Sequence, residues 1–329
     1  MGRSIRILRE GDVRAALDMA SCIDAVEGAF AAYATGGAEL PDVIHLDVPE
    51  TRGEIHVKAG HLHGARYYAV KVASGFYGVV PPAIDGMVVV YDAVDGAPAA
   101  LILDGGLLTD LRTGAAGGVA ARHLAPERVR TVAVIGTGLQ ARYQLDALAI
   151  VRPGFAHVRV WGRDRQHAIH CVDDLLGRPG LPEGCRFTVA ETVEEAVEGA
   201  DVVITCTASR EPLLSAGWVS PGTHVTALGS DGPDKRELDV EVLSRADLLV
   251  VDSRAQCARI GELHHALVEG AVASADDAVE LGAICAGLSP GRTSQDQLTV
   301  CDLTGVGVQD VAAANVVMER AGGGDAIEL

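Results

Sequence analysis

The chemistry in this chain starts at Gly136-Thr137-Gly138-Leu139-Gln140-Ala141. The stretch follows a β-branched apolar run, Thr131–Ile135, and opens a helical pattern. It is a G-x-G-x-x-A fingerprint in its expected strand–turn–helix setting. Gly136 allows the tight turn, Gly138 lets the backbone approach a pyrophosphate, and Ala141 keeps the helix close to the sheet. The helix N-terminus adds unpaired amides and a positive dipole end. Dinucleotide binding is the chemistry implied.

The end of the next strand selects the cofactor. It reads Gly162-Arg163-Asp164-Arg165. An acid there takes the ribose 2′-hydroxyl of NAD, whereas an arginine accommodates the 2′-phosphate of NADP. Arg163 comes first and can clamp a phosphate with two bonds, so NAD(P) is expected with NADP favoured. Asp164 reads equally as a helix N-cap.

Lys71 ends the apolar strand Tyr67-Tyr68-Ala69-Val70-Lys71, Lys58 follows a similar run, and Arg112 lies in a helix rich in small residues. Buried ammonium groups need partners. Three such cations suit an anionic ligand, and three salt bridges suit them equally in a chain with 45 acids. Asp231 lies in Gly229–Arg236, just past an apolar strand. That is where open α/β sheets bind ligands, so it is placed for proton transfer, or for a local turn. His56, His61 and His63, and the pair His264 and His265, lack a completing cysteine or carboxylate, so no metal is expected.

Two kinds of framework must position these residues. The first part combines a helix, Met19–Tyr33, with antiparallel strands at Glu54–Lys58, Tyr67–Val72, Met87–Tyr91 and Ala99–Leu103. Asp95-Gly96 supplies the hairpin turn between the last two. A helix spans Leu107–Leu124. Strands then alternate with helices at Thr131–Ile135, His157–Trp161, Phe187–Ala190, Val202–Thr205, His224–Leu228, Leu248–Val251 and Thr299–Asp302. This predicts an α/β fold, a Rossmann-type doubly wound parallel sheet plus a mixed α+β domain. A final helix, Gln309–Arg320, is expected to return to the first domain. Residues 1–126 together with 304–329 are expected to bind substrate and dimerise, and 127–303 to bind NAD(P).

The formal charge of −18 argues against nucleic acid and anionic membranes. No apolar run is long enough to span a bilayer, and Met1-Gly2-Arg3-Ser4-Ile5-Arg6 has no apolar signal core. Seven scattered cysteines without C-x-x-C read as reduced, buried thiols in a cytoplasmic protein.

Together the pieces resemble the ornithine cyclodeaminase/mu-crystallin family over nearly the whole chain. The matching residues are Val70-Lys71-Val72, Leu108-Thr109-Asp110-Leu111-Arg112-Thr113, the glycine fingerprint, Gly229–Leu238, and Asp302–Asp310. Gly261–Ala266 and Val57-Lys58-Ala59-Gly60 look like the branch labelled ectoine utilization. The resemblance implies a homodimer built through the first domain. It implies that Lys71 and Arg112 hold a substrate carboxylate and that Asp231 handles protons. It also implies a cofactor-facing set comprising Arg112, Thr113, the glycine turn with Leu139 and Gln140, Gly162, Arg163, Asp164 and Thr207.

Family members move hydride between nicotinamide and the α-carbon of a small amino acid or its imine. Imine reductase or amino-acid dehydrogenase chemistry is therefore the first expectation. Redox-neutral ornithine cyclodeamination and non-catalytic NADP-dependent ligand binding are the alternatives. This chain departs from the family pattern in three places. The usual arginine in the segment matching Leu40–Leu46 is absent, as is the usual asparagine near Gly78-Val79. Lys58 stands where the ornithine enzyme has a glutamate. A cation there repels a diamine side chain and attracts a second carboxylate.

Overall fold

The computed structural model describes residues 4–76, 78–79 and 83–328. Met1-Gly2-Arg3 and Leu329, which belong to the expected first domain, lie outside that range. Two compact units emerge, residues 1–112 with 306–329, and residues 113–305. The division falls inside the Leu107–Leu124 helix, earlier than the expected boundary at residue 126, because its small-residue second half packs with the following sheet. Gly117 illustrates this: a Cβ there would strike the Gln144 side chain.

The first unit holds a mixed sheet. Its strands are β1 (Ser4–Arg9), β2 (Ala38–Glu39), β3 (Ile44–Val48), β4 (Gly53–Leu62), β5 (Tyr67–Phe76), β6 (Ala83–Asp92) and β7 (Pro98–Leu103). A late strand, Asp325–Glu328, pairs antiparallel with β1. From β4 to β7 the strands are antiparallel neighbours, and β1 joins β7 in parallel. The β6–β7 connection is the expected hairpin, with Gly96 at φ 71°. Two helices cover this unit's core. Met19–Ala34 is capped by Asp18, which accepts from the Ser21 amide at 2.7 Å. It buries Ile23, Val26 and Phe30 at helical spacing, each worth about 1.5–3 kcal/mol. Gly307–Arg320 packs tightly on β4: a Cβ at Gly60 would lie 3.3 Å from Val311 Cγ2.

The second unit is a parallel eight-stranded sheet. Its strands are β8 (Thr131–Ile135), β9 (His157–Trp161), β10 (Arg186–Val189), β11 (Val202–Thr205), β12 (His224–Ala227), β13 (Leu248–Val251), β14 (Val279–Glu280) and β15 (Thr299–Asp302). Their order is β10-β9-β8-β11-β12-β15-β13-β14. Alternate residues of the same strands enter opposite cores. Ala133, Ile135 and Val203 pack on one face, and Val132, Val134 and Val202 on the other. Burial on both faces is why these strands read as continuous apolar runs. Among the described residues, no helix is long and apolar enough to cross a membrane. All seven cysteines are free thiols.

Candidate functional site

In the second unit, the chain order reverses at β8, which is flanked by β9 and β11. That is the switch point at which open α/β sheets hold ligands. A cleft of about 340 Å³ opens there, lined by Gly136, Thr137, Gly138, Gly162, Arg163 and Thr207, among others.

Gly136 adopts φ 134° and donates its N–H to Trp161 O at 2.9 Å. A Cβ there would lie 2.7 Å from Cys206 O, so only glycine fits the turn. Gly138, the N-cap of the Leu139–Val151 helix, has nothing within 4 Å of where its Cβ would sit. It brings no capping side chain to the first-turn amides. Arg142 donates to the carbonyls of Thr137 and Gly138 at 2.7 and 2.9 Å, fixing the turn. Ala141 is fully buried, as close helix–sheet packing requires. This bare glycine cradle at a helix start fits a pyrophosphate. Leu139 is exposed beside it. Gln140 accepts from Gln144 at 3.4 Å, and Gln144 also donates to Thr113 O at 2.9 Å.

At the end of β9, a Cβ on Gly162 would press Thr137 Cγ2 at 2.5 Å. Asp164 caps the Arg165–Leu175 helix, accepting from the amides of Gln166 and His167 at 2.8 and 3.3 Å. Those bonds, the Gln166 amide first, hold its carboxyl below the usual range. Arg163 and His167 both line the cleft.

Asp231 accepts from Lys235 Nζ at 2.7 Å, and its own side chain is 39% exposed. The loop is braced by Ser230 Oγ, which donates to Lys235 O, and by His265 Nε2, which bonds the same carbonyl at 2.8 Å. Lys235 was not singled out from the sequence, although its spacing of four from Asp231 was visible.

The first unit gathers the other candidates. Lys58 and Lys71 are register partners on β4 and β5. Both are buried, as is Arg112. Asp310, on the Gly307–Arg320 helix, pairs with Lys71 and Arg112 and also feels the charge of Lys58. Lys71 Nζ lies 2.8 Å from Asp310 Oδ1, and Arg112 Nε lies 2.9 Å from the same oxygen. Arg112 also donates to Gln309 Oε1 at 2.7 Å. Burial would raise the Asp310 carboxyl, but Arg112, Lys71 and Lys58 together hold it below its ordinary value. Burial and the adjacent Arg112 push the Lys71 ammonium down to about 7.

The basic residues are thus partly engaged by an internal acid, but three cations act on that one carboxylate. Gln309 Nε2 and Asp310 Oδ2 are buried without a hydrogen-bond partner among the described residues. Orphaned polar atoms beside buried cations fit an anionic ligand with hydrogen-bonding groups. Gln309 and Asp310 were not read from the sequence as site residues.

Of the candidate histidines, His56 meets His45 edge-to-face at 4.7 Å, His63 bonds Glu39 at 3.1 Å, and His264 meets His265 with ring centroids 5.2 Å apart.

Residues 4–325 match the model of the ornithine cyclodeaminase/mu-crystallin family. Solved structures are similar over nearly the whole chain. An archaeal alanine dehydrogenase, described as a dimer with bound NAD, aligns with a TM-score of 0.90 at 35% identity, covering 99% of each chain. The Thermococcus litoralis Δ1-pyrroline-2-carboxylate reductase, in complex with NADH and L-proline, gives 0.89 at 30% identity, covering 96% of this chain and 97% of that one. The iminosuccinate reductase of Paracoccus denitrificans, in complex with NAD⁺, gives 0.88 at 30% identity, covering 99% and 100%.

Proposed function

The chain belongs to the ornithine cyclodeaminase/mu-crystallin family, and from that premise we propose that it reduces a small imino acid, or oxidises the matching amino acid, with NAD(P). When bound, the dinucleotide supplies or accepts the hydride. The observation that carries the reading is the buried group of Lys58, Lys71 and Arg112 around the single carboxylate of Asp310.

In this reading Lys71 and Arg112 hold the substrate α-carboxylate, and Gln309 Nε2 offers one further donor. A Lys71 ammonium near neutral pKa can give or take a proton at working pH. Asp231 is the second proton-handling group, positioned by Lys235. Lys58 favours a substrate with a second carboxylate and disfavours the cationic side chain of a diamine. A dicarboxylic imino acid is therefore the preferred substrate class, over ornithine-type cyclodeamination.

Gly136, Thr137, Gly138 and the following helix start would hold the pyrophosphate, with Thr113 and Thr207 nearby in sequence roles the family implies. Asp164 spends its carboxylate on helix amides, while Arg163 and His167 line the cleft. This supports NADP over NAD.

A homodimer through the first unit is part of the proposal. Ile44, Val57, Val72 and Met87 form one cross-strand row, and Ile44 and Met87 remain 56% and 42% exposed. An apolar row on a sheet face is suited to a partner.

The test follows cofactor absorbance with dicarboxylic and monocarboxylic imino acids plus ammonia-free buffer. Consumption of NADPH sustains the reading; ammonia release from a diamine with no net absorbance change overturns it. Arg163→Ala should weaken NADPH about tenfold and NADH little; equal losses would remove the NADP preference.

A further inference from the structure

Glu237 is fully buried in the second unit, yet its carboxylate is crowded with donors. Thr205 Oγ1 donates to Oε2 at 2.8 Å, the Thr207 amide to Oε1 at 2.5 Å, and the Gly229 amide to Oε2 at 2.8 Å. These donors come from two different segments. Thr205 and Thr207 are at the end of β11, where Thr207 lines the cofactor cleft. Gly229 begins the loop that carries Asp231, and Glu237 itself ends that loop. The carboxylate therefore closes the Asp231 loop on itself and clamps it to the β11 loop.

Two independent features support the clamp. A Cβ at Gly229 would collide with Thr207 O and lie 2.6 Å from Glu237 Cδ, so the loops meet backbone to backbone. Beneath, Glu262 accepts from the amides of Glu237 and Leu238 at 2.7 and 3.1 Å, fixing the backbone from which the clamp projects.

We infer that Glu237 is a positioning residue, whose carboxylate sets the cofactor-lining Thr207 loop and the Asp231 loop in one register. This rests on the proposed cofactor and proton-transfer reading. Neutral glutamine of the same shape keeps two acceptor bonds at most and turns an N–H₂ toward a donor.

The test is Glu237→Gln in the full chain. NADPH affinity is read from the change in tryptophan fluorescence, to which the cleft-lining Trp161 contributes, and kcat and KM from NADPH oxidation. The expected result is about tenfold or greater weakening of NADPH with a similar fall in kcat. The KM for the imino acid should stay within about twofold, because its proposed binding residues lie in the other unit. A merely structural role would lower the melting temperature without that split. A folded variant with wild-type NADPH affinity and kcat would overturn the inference.

Thr205→Val removes one donor only and decides the matter if the glutamine variant does not fold. About threefold weaker NADPH binding is expected; unchanged affinity overturns the clamp. The wild-type control separates the two levels: a wild-type chain that binds neither NADH nor NADPH sinks the proposed function itself.

Discussion

A buried cluster in the first unit and the buried acids of the second are satisfied in opposite ways, although Asp104 of the first unit is also held by amides, those of Gly106 and Leu108. In the first, Lys58, Lys71 and Arg112 act on one carboxylate, Asp310. In the second, four acids are buried: Glu237, Asp252, Glu262 and Asp302. Their partners are mostly amides and hydroxyls. Asp252 accepts from Thr304 Oγ1 and the Gly305 amide at 2.9 and 2.6 Å. Asp302 accepts from the Leu263 amide at 3.0 Å.

Amide-held carboxylates brace loops and leave little capacity for a ligand. Cations gathered on one acid, beside an orphaned Gln309 donor, keep capacity for an incoming anion. Buried charge by itself does not mark a site; the manner of its satisfaction does.

The largest expected break is Lys71→Met. Lys71 is proposed to hold the substrate α-carboxylate and to exchange a proton, so kcat/KM for imine reduction should fall about a thousandfold. Wild-type kcat/KM should also decline as pH rises through about 7, where Lys71 sheds its proton. A variant of near-wild-type rate would return the cluster to a structural role.

Asp231→Asn should lower turnover by about a hundredfold, with cofactor affinity little changed. A rate that stays put takes Asp231 out of the proton path. Lys58→Gln is expected to raise KM for a dicarboxylic imino acid about tenfold and leave a monocarboxylic one nearly untouched. Equal effects on both would show that Lys58 does not read the second carboxylate.

The last effect is on stability, and it has opposite signs in the two units. Asp302 is raised by burial from 3.8 to about 7. Between those values the folded chain holds more protons than the unfolded one, so this group's contribution is lost as pH rises. Lys71 is lowered from 10.5 to about 7. There the unfolded chain holds more protons, so stability recovers as pH rises from about 7 to 10.5. Urea titrations across pH should show the Asp302→Asn variant losing only the acid limb. A curve unchanged by the substitution would place the titration elsewhere.

The contrast also explains what the sequence could reveal. Thr131–Ile135, Val202–Thr205 and Thr299–Asp302 were legible to the residue, because strands buried on both faces are largely apolar runs; His157–Trp161 matched as well, although only its Val158 and Val160 are buried. The glycine turn was legible because backbone geometry leaves no other residue possible at Gly136. Short edge strands were missed. Asp325–Glu328 is exposed along its length and β14 has two residues, so neither carries an apolar period. Asp310 as the partner of Lys71 was beyond reach, since 239 residues separate them. Glu237 and Glu262 look like loop and helix surface charges until the fold folds backbone amides around them.

That separation also sets an order of events during synthesis. The strands bearing Lys58 and Lys71 leave the ribosome early, while their counterion arrives only after the whole second unit has been made. Domains tend to fold as units while the chain emerges. The middle of this polypeptide is thus free to acquire its shape first, and the beginning waits for the last twenty or so residues. A chain ending before residue 306 would keep its nucleotide fold and leave three cations without Asp310.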